Sequence, residues 1–126
     1  MVAEVSVEKK QIKVHKIVAS IDAGLIINPV AAEAQIQGAI LQGLSSALYG
    51  EITIKEGKVE QSNFHNYNLL RMKETPKIEV YFVQNEEPPS SIGEIALPTV
   101  APAVANAVFN LTRKRLRSLP FKITEK

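Results

Sequence analysis

The chain contains no cysteine. That excludes disulfides, iron–sulfur clusters held by thiolates and cysteine nucleophiles, so any redox chemistry it joins uses a centre that cysteine does not hold. Histidine is nearly as scarce, at two residues, which leaves a structural zinc site short of ligands. No apolar run reaches the ~18 residues that a membrane span needs. The opening "MVAEVSVEKK" lacks the pattern of a secretory signal. The default expectation is the cytoplasm, with the periplasm open if a leader lies further upstream. A net charge of +2 is too small to argue for nucleic acid. There is no P-loop and no dinucleotide glycine fingerprint, and the acidic stretches "KEG" and "NEEPP" lack metal-loop spacing. What is present is 126 residues, 45% apolar and 22% charged. That predicts one globular domain over residues 1–126, with a real core and no room for a second.

Residues 2 to 22 run β-branched around the turn-like "EKKQ" and predict a hairpin. "DAGLIINP" breaks the pattern, and Pro29 suits the first turn of a helix expected over 30–48. Within it, Ile36, Ile40, Leu41, Leu44 and Leu48 share an arc of ~140° that should face the core. The opposite arc, with Ala31, Gln35, Gly38, Ala39, Gln42, Ser45 and Ser46, carries no charge, which is unusual for a solvated helix face. "EITIKEGKVEQ" predicts a second hairpin turning at Glu56-Gly57. "SNFHNYNLLRMKETP" is irregular, "KIEVYFV" is a strand, and "QNEEPPSSIGE" is a loop. A final helix is expected with Thr99 as N-cap, Pro102 in its first turn, and Val100, Val104, Ala107, Val108 and Leu111 facing inward. The order ββ-α-ββ-β-α makes an α+β fold, a sheet packed with two main helices.

Several residues could carry chemistry. Glu94 stands after Gly93 and just before the last helix, whose free N–H groups and positive dipole end favour a carboxylate. It reads either as a general base at the mouth of a pocket or as an ordinary loop carboxylate, the commoner case from local chemistry alone. Gln35, Gly38 and Gln42 share a face that suits close approach by a polar ligand, or tight packing on a neighbouring element. His15 should face solvent on its strand. His65 could be a ligand or could bond loop backbone. The basic run "RKRLR" at 113–117 fits a helix C-terminus better than a phosphate site.

Taken together, "ASIDAGLIINPVAAEAQIQGAILQGLSSALYG", "SNFHNY" and "SIGEIALPTVAPAVANAVF" resemble the C-terminal part of the large subunits of molybdenum hydroxylases. This is the xanthine and aldehyde oxidase family, and the likeness is in particular to its isoquinoline 1-oxidoreductase and aldehyde dehydrogenase types. The likeness runs from about Ala3 to Phe121, nearly the whole chain.

The resemblance implies a molybdenum–molybdopterin cofactor in the complete enzyme. Glu94 takes the place of the family's active-site base beside the molybdenum. Gln35 matches the glutamine that reaches the pterin, and Gly93 would let the loop backbone approach the metal. Oxygen from water is inserted at an electron-poor carbon of a small aromatic N-heterocycle or an aldehyde. Electrons leave through a 2Fe-2S small subunit. Two positions depart from the family's habit: Ile95 stands where proline is frequent, and Gln37 where an acidic residue is common. The family's large subunit is also several times longer. The expectation is therefore a C-terminal portion that supplies a base and one pocket wall, inactive alone and prone to self-association. The rival reading is a stand-alone, non-catalytic module that binds a protein partner through the same wall. The substrate is not legible, because the residues that would shape its pocket lie mostly outside this segment.

Overall fold

The computed structural model describes residues 1–123. Strands β1 (Val2–Glu8) and β2 (Gln11–Ile21) form an antiparallel hairpin. Lys9 and Lys10 turn it, both with positive φ. Glu4 pairs with Lys16 and Val5 with Val14, so His15 is an extra residue on β2. This bulge reverses the inside–outside alternation. Val14 and Ile17 are consequently both buried, with Ala19 and Ile21 continuing the row. His15 stays exposed, 2.7 Å from the Ser6 hydroxyl.

Helix α1 (Pro29–Leu48) follows, one residue earlier than expected, with the Asn28 side chain accepting from the Ala31 N–H. Ile36, Ile40 and Leu44 are fully buried, while Leu41 and Leu48 lie half-buried at the margin. A second buried row was not expected: Ala32, Ala39, Gly43 and Ala47. Ala39, placed by the sequence on the outer face, belongs to it. The reason is helix α2 (Leu97–Thr112), which packs against this side of α1 as well as against β1. Small residues let the two backbones approach.

The short strands β3 (Ile54–Lys55) and β4 (Lys58–Val59) turn at Glu56-Gly57, both with positive φ, as a two-residue hairpin of the expected kind requires. They are exposed and stand apart from the main sheet. Strand β5 (Lys77–Phe82) then pairs in parallel with β2, giving the order β1-β2-β5. The element order is the α+β order expected. Among the described residues no helix is long and apolar enough to cross a membrane.

The start of α2 differs from expectation. Ala96, not Thr99, occupies the N-cap position, and Pro98 lies in the first turn. The Thr99 hydroxyl instead donates back to the Ala96 carbonyl at 2.8 Å. Pro102 consequently falls in the second turn, inside the helix. The earlier start arises because a turn, with the Leu97 N–H on the Glu94 carbonyl at 3.0 Å, leads straight into the helix. Val100, Val104 and Val108 are fully buried and Ala107 is half-buried, but Leu111 is 56% exposed. The last turn of α2 therefore overhangs the core. Arg113 ends the helix in left-handed conformation, and Arg115 lies over the Phe109 ring, 3.5 Å from its centroid. The chain then folds back, and the Phe121 N–H reaches the Ala47 carbonyl.

Candidate functional site

The site expected from the sequence lies where three segments meet: the loop after β2, the first turns of α1, and the loop from β5 to α2. Pairing between β2 and β5 continues past the strand ends, with the Val83 N–H on the Ile21 carbonyl at 2.8 Å. The two loops then stay in register. Leu25 donates to Glu87 at 2.9 Å, and Ser90 donates to Ala23 at 3.0 Å, all through backbone groups. The Asn85 amide donates to the Asp22 carboxylate at 2.7 Å, while its carbonyl oxygen accepts from the Glu87 N–H. Gly24 has φ +70°, and a Cβ there would lie 2.3 Å from the Pro88 carbonyl oxygen. Only glycine meets both requirements.

This stitching carries the second loop across to α1. There the Gln35 side-chain N–H donates to the Gly93 carbonyl at 3.2 Å. Gln35 and Gly93, distant in sequence, are thus in direct contact, and Glu94 is the next residue. Glu94 is exposed, and its carboxylate has no partner among the described residues. Its carboxylate makes no hydrogen bond to the N–H groups at the start of α2; the contact with the helix start is made by its backbone carbonyl. Just beyond it, Ala96 is fully buried.

Beside this junction an open apolar cleft of about 560 Å³ is lined by Ala23, Leu25, Ile27, Gln35, Ile92 and Gly93, among others. Ile27 at its rim and Val30 nearby are 81% and 80% exposed, so with Leu25 they leave apolar side chains bare at the start of the helix. Ala31, Gln35, Gly38 and Gln42, on the uncharged arc opposite the core stripe, are exposed, whereas Ser45 is half-buried and receives the Leu70 N–H. A Cβ on Gly38 or on Gly93 would meet nothing within 4 Å. Neither glycine is demanded by the packing of this chain. Gln37, the departure noted in the sequence, donates to Glu33 one turn back.

These residues fit one wall of a site for a polar, hydrogen-bonding group. The face is neutral, two glycines leave room at it, and the Gln35 amide keeps one N–H and its carbonyl oxygen without partners among the described residues. They do not make a metal site by themselves: among the described residues no three His, Cys, Asp or Glu side chains could hold an ion together. His65 is exposed and makes no hydrogen bond among the described residues.

One pair was missed in the sequence. The Tyr49 hydroxyl, at the end of α1, donates to Glu74 at 2.7 Å. Burial first, and then the bonded carboxylate, push the tyrosine up to about 12. The hydroxyl, followed by the Arg71 backbone N–H, holds Glu74 below the usual carboxylate range. The stitched loops were missed as well, because "NEEPP" carried only the signal of a loop and Gly24 only that of a break.

Comparison with known proteins gives this wall a context. Residues 1–76 match the molybdopterin cofactor-binding domain family. The chain is 34% identical over 124 residues to the beta chain of isoquinoline 1-oxidoreductase from Brevundimonas diminuta, covering 97% of this chain and 16% of that protein. It is 32% identical over 121 residues to the molybdenum-binding polypeptide of an aldehyde oxidoreductase from Escherichia coli K12, covering 90% of this chain and 16% of that one. The crystal structure of the aldehyde oxidoreductase from Desulfovibrio desulfuricans superposes with a TM-score of 0.74 at 29% identity, covering 86% of this chain and 12% of that one. The chain thus spans about a sixth or less of the length of these relatives. With the family model matching more than half of its residues, the chain belongs to the molybdopterin cofactor-binding domain family, whose cofactor in the complete enzymes is molybdenum–molybdopterin.

Proposed function

We propose that the chain is the C-terminal portion of the large subunit of a molybdenum hydroxylase, supplying the active-site base and one wall of the cofactor pocket. The observation that carries this reading is the contact between Gln35 and the Gly93 carbonyl, which sets Glu94 at the edge of the uncharged face of α1. When bound, the molybdenum–molybdopterin group supplies the redox chemistry. The residues of this chain do the rest. The Gln35 amide and the glycine-lined face hold the pterin side by neutral hydrogen bonds and close approach. The Glu94 carboxylate, unpartnered within the described chain, accepts a proton. The apolar rim at Leu25, Ile27 and Val30 is covered by the remainder of the large subunit, which excludes water. The further partners are a 2Fe-2S small subunit and a small aromatic N-heterocycle or aldehyde. The cytoplasm is the default location, and a leader further upstream would direct the assembly to the periplasm.

Alone, the chain is inactive, since a base without its metal has nothing to act on. Co-expression with the upstream part of a related large subunit tests the reading. Recovery of molybdenum binding and turnover supports it. A folded complex that takes up cofactor but never turns over, whatever substrate class is offered, favours the non-catalytic module instead.

A further inference from the structure

The base-bearing loop is anchored at both ends by this chain's own residues. On the approach side, the turn at Asp22–Gly24 receives it through the Asp22–Asn85 side-chain bond, the Leu25–Glu87 and Ser90–Ala23 backbone bonds, and the van der Waals seat of Pro88 on Gly24. Next to the exposed pair Gly93 and Glu94 stands the Gln35–Gly93 bond. On the exit side, Ala96 is fully buried and the Leu97 N–H closes a turn on the Glu94 carbonyl. The exposed run Gly93, Glu94 and Ile95 is held between fixed points, and among the described residues one side-chain hydrogen bond, that of Gln35, reaches into the gap.

We infer that Gln35, backed by the Asp22–Gly24 turn, is a positioning residue for Glu94: it orients the loop through the Gly93 carbonyl, in addition to any contact with cofactor. The physical argument is one of preorganisation. A flexible carboxylate loses proton-transfer efficiency because each productive encounter must order the loop first. The glutamine side chain can do both tasks at once, because its amide has two N–H donors and a carbonyl acceptor. Only one donor is spent on Gly93. The Asp22–Gly24 turn acts further back, by fixing where residues 85–90 enter. Its glycine is not replaceable, since a Cβ would strike the Pro88 and Glu87 carbonyl oxygens and displace the loop from its seat.

The positioning claim stands on contacts within the chain. Its catalytic consequence rests on the proposed role of Glu94, so the test has two arms. In the 126-residue chain, amide hydrogen exchange is followed for residues 93–97 in wild type, Gln35→Ala, Gln35→Glu and Asn85→Ala. Alanine preserves the helix, and glutamate keeps the size but loses the N–H donor. Gln35→Ala and Gln35→Glu should both speed exchange at 93–97 by about three- to tenfold, the range that loss of one net hydrogen bond allows. Amides in the middle of α1 should not change. Asn85→Ala should speed exchange at 85–90 more than at 93–97. A change under about twofold at 93–97 in both Gln35 variants overturns the inference.

In the assembled enzyme, turnover is expressed per bound molybdenum and its pH profile is recorded. Gln35→Ala should lower that specific rate and displace the limb of the profile that reports the base. An unchanged specific rate and profile overturns the positioning role and leaves Gln35 as a cofactor contact alone. If Glu94 is not the base, the exchange result survives while Glu94→Gln stays active, so the two failures are told apart.

Discussion

A Cβ placed on Gly43 of α1 would lie 2.6 Å from the carbonyl oxygen of Leu97, the first residue of α2, and 3.0 Å from a Val100 methyl. This close crossing sets where α2 begins, three residues after Glu94, and so fixes one end of the loop that carries Glu94. It also explains why α1 carries Ala32, Ala39 and Ala47 on the same side.

Gly43→Ala should therefore destabilise the chain by about 1–3 kcal/mol, the cost of forcing extra volume against backbone. Gly38, on the open face of the same helix, is the control. A Cβ there meets nothing, so Gly38→Ala should stabilise by about 0.5–1 kcal/mol through helix propensity. Urea unfolding of both variants checks the contrast. Equal effects at the two positions would contradict the packing described.

The Tyr49–Glu74 bond should be visible in the pH dependence of stability. The folded state holds the tyrosine at about 12, above its ordinary value of 10.0, so its contribution is fully present below pH 10 and is lost as pH rises through 12. The folded state holds Glu74 low, so that contribution is present above its ordinary value and is lost as pH falls through the depressed one. Tyr49→Phe removes the tyrosine's effect and the largest part of the Glu74 effect, leaving the Arg71 backbone N–H on the carboxylate. It should cost about 0.5–1.5 kcal/mol at neutral pH, toward the lower end because the pair is only part-buried, and should flatten the alkaline limb of a melting-temperature profile.

The order of elements was legible because each has a local cause: β-branched runs for the strands, Asn28-Pro29 before α1, and Glu56-Gly57 for the second hairpin. The bulge at His15 was not, since it is set by pairing between β1 and β2 rather than by any residue type. The second buried row of α1 was not legible either. Alanine and glycine give the same local signal whether they face a helix or a cofactor, and only the course of α2 separates Gly43, packed on Leu97, from Gly38, which is open. Thr99 misled in a related way: a good N-cap residue loses to a start that tertiary packing puts earlier in the chain, at Leu97. Gln35 stood out on its uncharged helix face, and resemblance gave it and Gly93 their expected roles. That they touch could not be read from a sequence in which they lie far apart.

Isolated in solution, the chain should self-associate. Leu25, Ile27 and Val30 are exposed beside the uncharged Gln35, Gly38 and Gln42 face, and an apolar rim of this kind seeks cover. Light scattering over a concentration series should show mass rising above 13.8 kDa. Ile27→Asp with Val30→Asp should restore the monomer. A wild-type monomer at the highest concentrations would count against a covered wall.

Purified alone, the chain should hold no stoichiometric molybdenum. One glutamine and a glycine-lined face are too few contacts for a large anionic cofactor, and no cluster of ligating side chains occurs among the described residues. Metal analysis of protein made in a host that synthesises the cofactor checks this. Molybdenum at one per chain would mean the pocket is far more complete than one wall.

The most direct test of the central claim is to measure turnover and molybdenum content together for Glu94→Gln in the complete assembly. Glutamine keeps the size and reach of glutamate but cannot take up the proton. The carboxylate makes no contact among the described residues that its loss would disturb. Molybdenum content should stay at the wild-type level while turnover falls by about 10²–10⁴-fold, the usual contribution of a positioned base and about 3–5 kcal/mol of barrier. Retention of more than about a tenth of wild-type turnover at full occupancy would contradict the account and leave Glu94 an ordinary carboxylate near a helix end.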